Sequence, residues 1–232
     1  MKRLPILALL PVCLLLIGCT TTQRQQQPAA LTSEQALTEV VKLASESVDA
    51  NLFAPLTLEE LLPPQAQLFV DLEEIPLFSD QLSLWNDQVL LAYRQVVLQI
   101  PALVQDAVGK VTWQQPDQLV KGGNQSATTY FLEDQGKFLS QGIRIMLTDA
   151  LKQSQITWDL ILKRYAIWRE ATMLWGRAPL PEITVSVDEH LFDLCIATYY
   201  AELGVQEAQA RTTPVPKGSG SFLELFQQDV QP

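Results

Sequence analysis

Apolar residues recur at intervals of three and four along most of this chain, and prolines interrupt the pattern again and again, at Pro63, Pro101 and Pro214 among others. A period near 3.6 gathers such residues on one face of a helix, whereas proline lacks the N–H that a helix interior needs and clashes with the preceding turn. The chain is therefore confined to helices that stop or bend at prolines. Only Ile183-Thr184-Val185 alternates as a strand would, and three residues do not make a sheet. The fold class expected is all-α, an irregular bundle of about six to eight helices with proline-marked corners.

The helix boundaries follow from local chemistry. Thr32-Ser33-Glu34-Gln35 reads as a capping box before Leu37, Val40, Val41, Ala44 and Val48, which predicts a helix over 33–51. Thr57-Leu58-Glu59-Glu60 opens a brief helix, and a further short one is expected over 65–74. Ser79 can cap a long helix carrying Leu82, Trp85, Val89, Ala92 and Val96, which Pro101 kinks or restarts before about Val108. A short helix over 117–121 should end at Gly122-Gly123 in the left-handed conformation. Asn124 or Ser126 caps a helix to about Gln153, Thr157 opens another to about Trp175, and 188–211 and 221–228 complete the set after an extended crossing at Pro179-Leu180-Pro181.

The N-terminus carries an address. Lys2 and Arg3 precede an apolar run from Leu4 to Ile17, closed by Gly18-Cys19, which is the order of a secretion signal. The run is shorter than the roughly 20 residues a bilayer span needs, and Pro5 and Pro11 interrupt it. Leu16-Ile17-Gly18-Cys19 resembles a lipobox, which implies cleavage after Gly18 and palmitate-type acylation of Cys19. The expected organisation is a signal peptide over 1–18, a tether over 19–31 and one helical domain over 32–232. Residues 20–30 are mostly Thr, Gln and Pro, and such a tether spans about 18 Å when flexible. Two or three acyl chains would hold the chain firmly on a membrane, which one chain alone does not. Thr20 is not the aspartate associated with inner-membrane retention, so the expected location is the outer membrane, on its periplasmic face.

The charge narrows the partners. The formal net charge is −10, and removal of Lys2 and Arg3 makes it two units more negative. Such a surface repels nucleic acid and anionic head groups. Of three cysteines, Cys13 leaves with the signal and Cys19 takes lipid, so Cys195 has no partner for a disulfide.

Leu119-Val120-Lys121-Gly122, followed by Ala127-Thr128-Thr129-Tyr130-Phe131, resembles the signature of domain-of-unknown-function family 4197. Other pieces fall in the same order: Phe53 to Pro55, Leu62-Pro63, Asn86, Asp106-Ala107-Val108, and Leu223, Leu225 and Phe226. The likeness extends over roughly residues 37–226. It departs where the helix around Asn86 runs about a turn longer, and where Tyr199-Tyr200 replaces an acidic pair in the last long helix. The resemblance implies a helical fold and an envelope location; it implies no activity.

Candidate chemistry is sparse. His190 is the only histidine, and Asp193 lies three residues on, but one helix turn supplies fewer than the three protein ligands of a catalytic zinc site. A surface or capping role is expected for it. Cys195 is about 140° around the helix from His190, which prevents a dyad, and its neighbours Leu194, Ile196 and Ala197 mark it as a small buried residue. No nucleophile elbow or phosphate loop occurs. Glu73-Glu74 and Glu133-Asp134 are adjacent acids that do not face each other on a helix. The corner from Lys121 to Asn124 could hold an anion on free N–H groups at a helix start, but a glycine-ended helix followed by a capped one is the better reading. Ile161, Tyr165, Trp168, Thr172 and Trp175, spaced 4, 3, 4 and 3 with Trp158 ahead of them, read as a core stripe, or else as a partly exposed face for a partner or an amphiphile. The expected function is a non-catalytic binding or scaffolding module for another envelope component, with no cofactor and no metal. The alternative is a carrier or chaperone for a lipid or other amphiphile.

Overall fold

The computed structural model describes residues 31–178 and 180–227. The expected leader, Gly18, Cys19 and the tether up to Ala30 lie outside the described residues, as do Pro179 and the last five positions.

The capping box forms as the sequence requires. Helix α1 (Ser33–Glu46) begins where the Thr32 hydroxyl accepts the Gln35 N–H at 3.2 Å and the Gln35 side chain accepts the Thr32 N–H at 3.0 Å. It stops short of the expected Asn51. The Ser47 hydroxyl donates back to the Leu43 carbonyl, and the Asp49 carboxylate takes the Asn51 N–H at 2.8 Å. Such local side-chain bonds offer the backbone an alternative to another helical turn. A second capping box, Thr57 with Glu60, opens the single turn α2 (Leu58–Leu61), and Pro63 and Pro64 then force a 3-10 helix (Pro64–Asp71).

Helix α3 (Phe78–Val97) starts without the expected cap from Ser79. Its boundary residue is Leu77, held in the left-handed region at φ 59°. That conformation costs a residue with a side chain about 1–2 kcal/mol. It accompanies the burial of Phe78, whose ring meets Phe69 edge-on at 5.2 Å. Pro101 lies in the first turn of α4 (Ile100–Val108), where its missing N–H has no partner to lose.

Gln115, at φ 51°, turns the chain into α5 (Pro116–Val120). Gly122 and Gly123 do not take the expected left-handed conformation; Gly176, Gly218 and Gly220 do. Gly122 serves closeness instead, since a Cβ there would lie 3.1 Å from that of Ser126.

The next two helices are nearly continuous: α6 (Ser126–Ala150) and α7 (Lys152–Leu174) are separated by Leu151 alone. Thr157 is thus inside α7 and not its cap, because its hydroxyl is given to the Gln88 side chain at 2.8 Å. Ser186 caps α8 (Val187–Thr212), and α9 (Glu224–Gln227) is a final single turn.

Six of these helices have nine or more residues, and no strand occurs among the described residues, so the all-α expectation holds. Helix α1 packs against α4, α5, α6 and α8, while α3 packs against α6 and α7. Buried hydroxyls find partners across these seams: Tyr93 donates to the Leu191 carbonyl at 2.7 Å, and Ser45 and Tyr199 share a bond of 3.0 Å. Rings of Phe69, Phe78, Trp85, Trp158 and Tyr165 meet with centroids 4.9 to 5.7 Å apart. No helix among the described residues is long and apolar enough to cross a membrane.

Candidate functional site

The residues that sequence reasoning held up for catalysis are scattered. His190 is half-buried, and its Nε2 lies 3.1 Å from the Glu60 carbonyl in the last turn of α2. It thereby ties α8 to α2, while Asp193 is exposed. Cys195 is fully buried, and burial pushes its thiol up to about 12. A thiol that far above its ordinary range carries almost no thiolate near neutral pH. Glu74 is paired with Arg177 at 2.7 Å, and Glu133 and Asp134 are exposed to solvent. Among the described residues, no group of three or more His, Cys, Asp or Glu side chains could hold a metal ion.

The corner between α5 and α6 is built differently from either sequence reading. The N–H groups at the start of α6 are occupied from within the protein. Glu207, on α8, accepts the Ala127 N–H at 3.1 Å through one carboxylate oxygen and the Thr128 N–H at 2.6 Å through the other. One turn on, Arg211 pairs with Glu207 at 2.7 Å, and both side chains are almost wholly buried. Arg211 also donates to the Val120 carbonyl at 3.1 Å and to the Ser126 hydroxyl at 2.9 Å. The Ser126 hydroxyl donates in turn to the Leu119 carbonyl at 2.6 Å.

A helix start favours negative charge because its first N–H groups have no partner within the helix. Here that charge is Glu207, so Ala127 and Thr128 are closed to an external anion. Tyr130 donates to the Thr112 carbonyl and accepts the Gln114 N–H, and Phe131 is fully buried. The segment singled out by resemblance is thus a packing joint between α5, α6 and α8.

Sequence reasoning missed Glu207 and Arg211. An i,i+4 Glu-Arg pair is a visible signal, but it is the same signal that a solvated surface pair gives.

Beside this joint lies an open cavity of about 890 Å³, lined in part by Val120, Lys121, Arg211, Val215 and Phe226. Where it lines this cavity, the Arg211 guanidinium lies over the face of the Phe226 ring, 4.2 Å from its centroid.

The aromatic stripe of α7 divides. Trp158, Ile161, Tyr165 and Thr172 are buried, Trp168 is half-buried, and Trp175 is exposed with its ring edge-on to Trp168 at 5.5 Å. A second, apolar stripe runs along the same helix. Ile156, Leu160, Ile167 and Leu174 are all exposed, the last three at intervals of seven. Helix α3 repeats the arrangement with Leu84, Leu91 and, at its C-terminal boundary, Leu98.

The two stripes share one side of the molecule. Thr157 meets Gln88 in the middle of α3, and Arg164 reaches the Pro76 carbonyl before its start, so α3 and α7 run antiparallel. On each helix, at 100° per residue, the seam residue lies between the buried stripe and the exposed one. In an antiparallel pair this puts both exposed stripes on the same outer side of the seam. The charged residues that punctuate them, Asp87 and Arg94 on α3 and Lys163 and Glu170 on α7, are exposed as well.

Residues 86–227 match the profile of a family described as "Protein of unknown function (DUF4197)". The match begins at Asn86, well after residue 37, where the sequence likeness starts, and it takes in the joint around Glu207. Comparison with the curated proteins finds no match, nor does comparison with the solved structures.

Proposed function

The chain belongs to the DUF4197 family of proteins of unknown function, and we propose that it acts as a lipid-anchored, non-catalytic binding or scaffolding module on the periplasmic face of the outer membrane. The observation that carries this reading is the outer face of α3 and α7, where two apolar stripes lie side by side on a domain whose interior is already packed. Single exposed leucines are ordinary on any surface, whereas a contiguous apolar face marks an interaction site.

Anchoring rests on Cys19 and on the lipobox-like Leu16-Ile17-Gly18-Cys19. Acyl chains there would hold the domain by a tether of about ten residues, close enough to the membrane to meet envelope partners. Support for binding over carriage of an amphiphile comes from the tryptophans. Trp85 and Trp158 pack on each other at 5.0 Å, filling space that a carrier would keep open. The burial of Cys195 and the tie between His190 and Glu60 speak against a nucleophile or base at those positions.

Two measurements test the reading. Palmitate labelling of the full chain is expected to vanish in Cys19→Ala, and labelling that survives would remove the anchor. Crosslinking in native envelopes should return a reproducible partner that is lost in Leu91→Asp; no partner at all, or capture indifferent to that change, would remove the binding role.

A further inference from the structure

We propose that the open cavity beside the joint binds a small organic anion, a carboxylate or phosphate group carried on an apolar body. The site is separate from the α3/α7 face and does not depend on what that face meets. The size of the cavity, the charge of its walls and their apolar surface carry the inference.

At about 890 Å³ the cavity falls within the roughly 300–1,000 Å³ of pockets that take small molecules. The α5–α6 corner, the end of α8 and the returning C-terminal segment wall it. The last of these is pinned. Gln227 donates to the Thr213 carbonyl at 2.6 Å and accepts the Val215 N–H at 3.4 Å, while the Phe226 ring lies against the Arg211 guanidinium. Walls held in this way are largely formed before a ligand arrives, so binding does not have to order them.

The charge of the walls opposes that of the chain. The chain carries 16 basic residues against 26 acidic ones, yet the described lining carries Lys121, Arg211 and Lys217 against Glu224 alone. Glu224 is turned to its own loop, where its carboxylate accepts the Ser219 hydroxyl at 2.6 Å and the Gly220 N–H at 3.2 Å. Glu207 balances Arg211 but is not part of the lining. Arg211 is 5% exposed, and its Nε–H has no acceptor among the described residues, although both terminal nitrogens are engaged. Burial lowers its pKa in spite of Glu207, so the guanidinium is short of negative charge. A cation that water barely reaches acts on a nearby anion with little screening.

Alongside these cations, Val120, Val215, Leu225 and Phe226 supply apolar surface. A bare inorganic anion would leave that surface wet, and a neutral oil would leave the cations unmatched. An anion on an apolar body uses both. A free small molecule fits better than a membrane lipid, because so acidic a chain is repelled by an anionic bilayer surface.

The test is hydrogen exchange read by mass spectrometry on the full chain in phosphatidylcholine nanodiscs, titrated with 4-phenylbutyrate and with phenyl phosphate. At least one of the two is expected to slow exchange saturably in peptides spanning 117–126 and 211–227, and the neutral 4-phenylbutanol to leave them unchanged. Lys121→Gln combined with Lys217→Gln should weaken the effect at least about tenfold, the loss expected for a charge-assisted hydrogen bond. Both lysines are exposed, so far-ultraviolet circular dichroism should report an unaltered fold. Equal protection by the alcohol, or an affinity indifferent to the two lysine changes, would overturn an anion site. So would protection confined to other segments, or no saturable protection by either acid up to a few millimolar. Protection that appears only when phosphatidylglycerol is added to the nanodiscs would assign the cavity to a lipid head group and overturn a small-molecule site.

Discussion

Glu207 caps helix α6 from helix α8: its carboxylate accepts the Thr128 N–H at 2.6 Å, joining residues that lie 79 positions apart in the chain. The same carboxylate neutralises Arg211, which ties down the end of α5. Two helix ends and one buried ion pair therefore stand or fall together.

Removing Glu207 leaves Arg211 buried without its counter-ion and leaves two N–H groups at the start of α6 unsatisfied. Loss of one partner of a buried pair costs about 3–5 kcal/mol. Glu207→Ala is expected to lower the free energy of unfolding by that amount, read as a lower urea midpoint at unchanged slope. Arg211→Ala should then add little in the Glu207→Ala background, because the interaction is already lost; additive effects of the two changes would contradict the joint described here.

The division of the α7 stripe has a direct consequence for its tryptophans. Trp158→Ala opens a cavity between Trp85 and Phe69 and is expected to cost about 3–5 kcal/mol. Trp175→Ala removes only an edge-on contact with Trp168, worth about 1 kcal/mol or less. Thermal denaturation of the two variants checks the order, and equal losses would mean that the stripe is buried throughout.

Burial makes Cys195 a poor nucleophile. Alkylation of the folded chain at pH 8, followed by peptide mapping, should find Cys195 unmodified, and complete modification should follow in denaturant. Rapid labelling under native conditions would reopen a chemical role for it.

Stability should fall on the alkaline side. Burial raises the Cys195 thiol from its ordinary 9.0, and the hydroxyls of Tyr199 and Tyr200 from 10.0, to about 12 in each case. In that window the folded chain holds protons that the unfolded chain releases, so the free energy of unfolding decreases as pH rises. The contribution is complete below about pH 9 and is lost on the way to about pH 12. Urea midpoints at pH 8 and pH 10.5 should show the decline, and Tyr200→Phe should make it shallower.

Much of the architecture was legible because it is set by neighbours in the chain. The two capping boxes, the restart at Pro101 and the apolar period of α1 and α3 all involve residues within a few positions of each other, and local chemistry determines them by itself. Errors came where a distant group changed a local choice. Leu77 displaced Ser79 as the start of α3 where Phe78 is drawn into the core, and Gln88 drew Thr157 into the middle of α7. Gly122 proved to be a close approach to Ser126, which no turn rule foretells.

The exposed repeats of α3 and α7 were in the sequence too, but an apolar period carries no sign of which side of a helix the domain will cover. The sequence by itself determined that this chain is helical and where its corners fall, because proline, capping and periodicity act over a few residues. Only the tertiary structure decided that Glu207 and Arg211 are buried and that α3 and α7 keep a second apolar face exposed among the described residues, because burial depends on which segments meet, and those meetings join positions more than a hundred residues apart, as Ser45 and Tyr199 do.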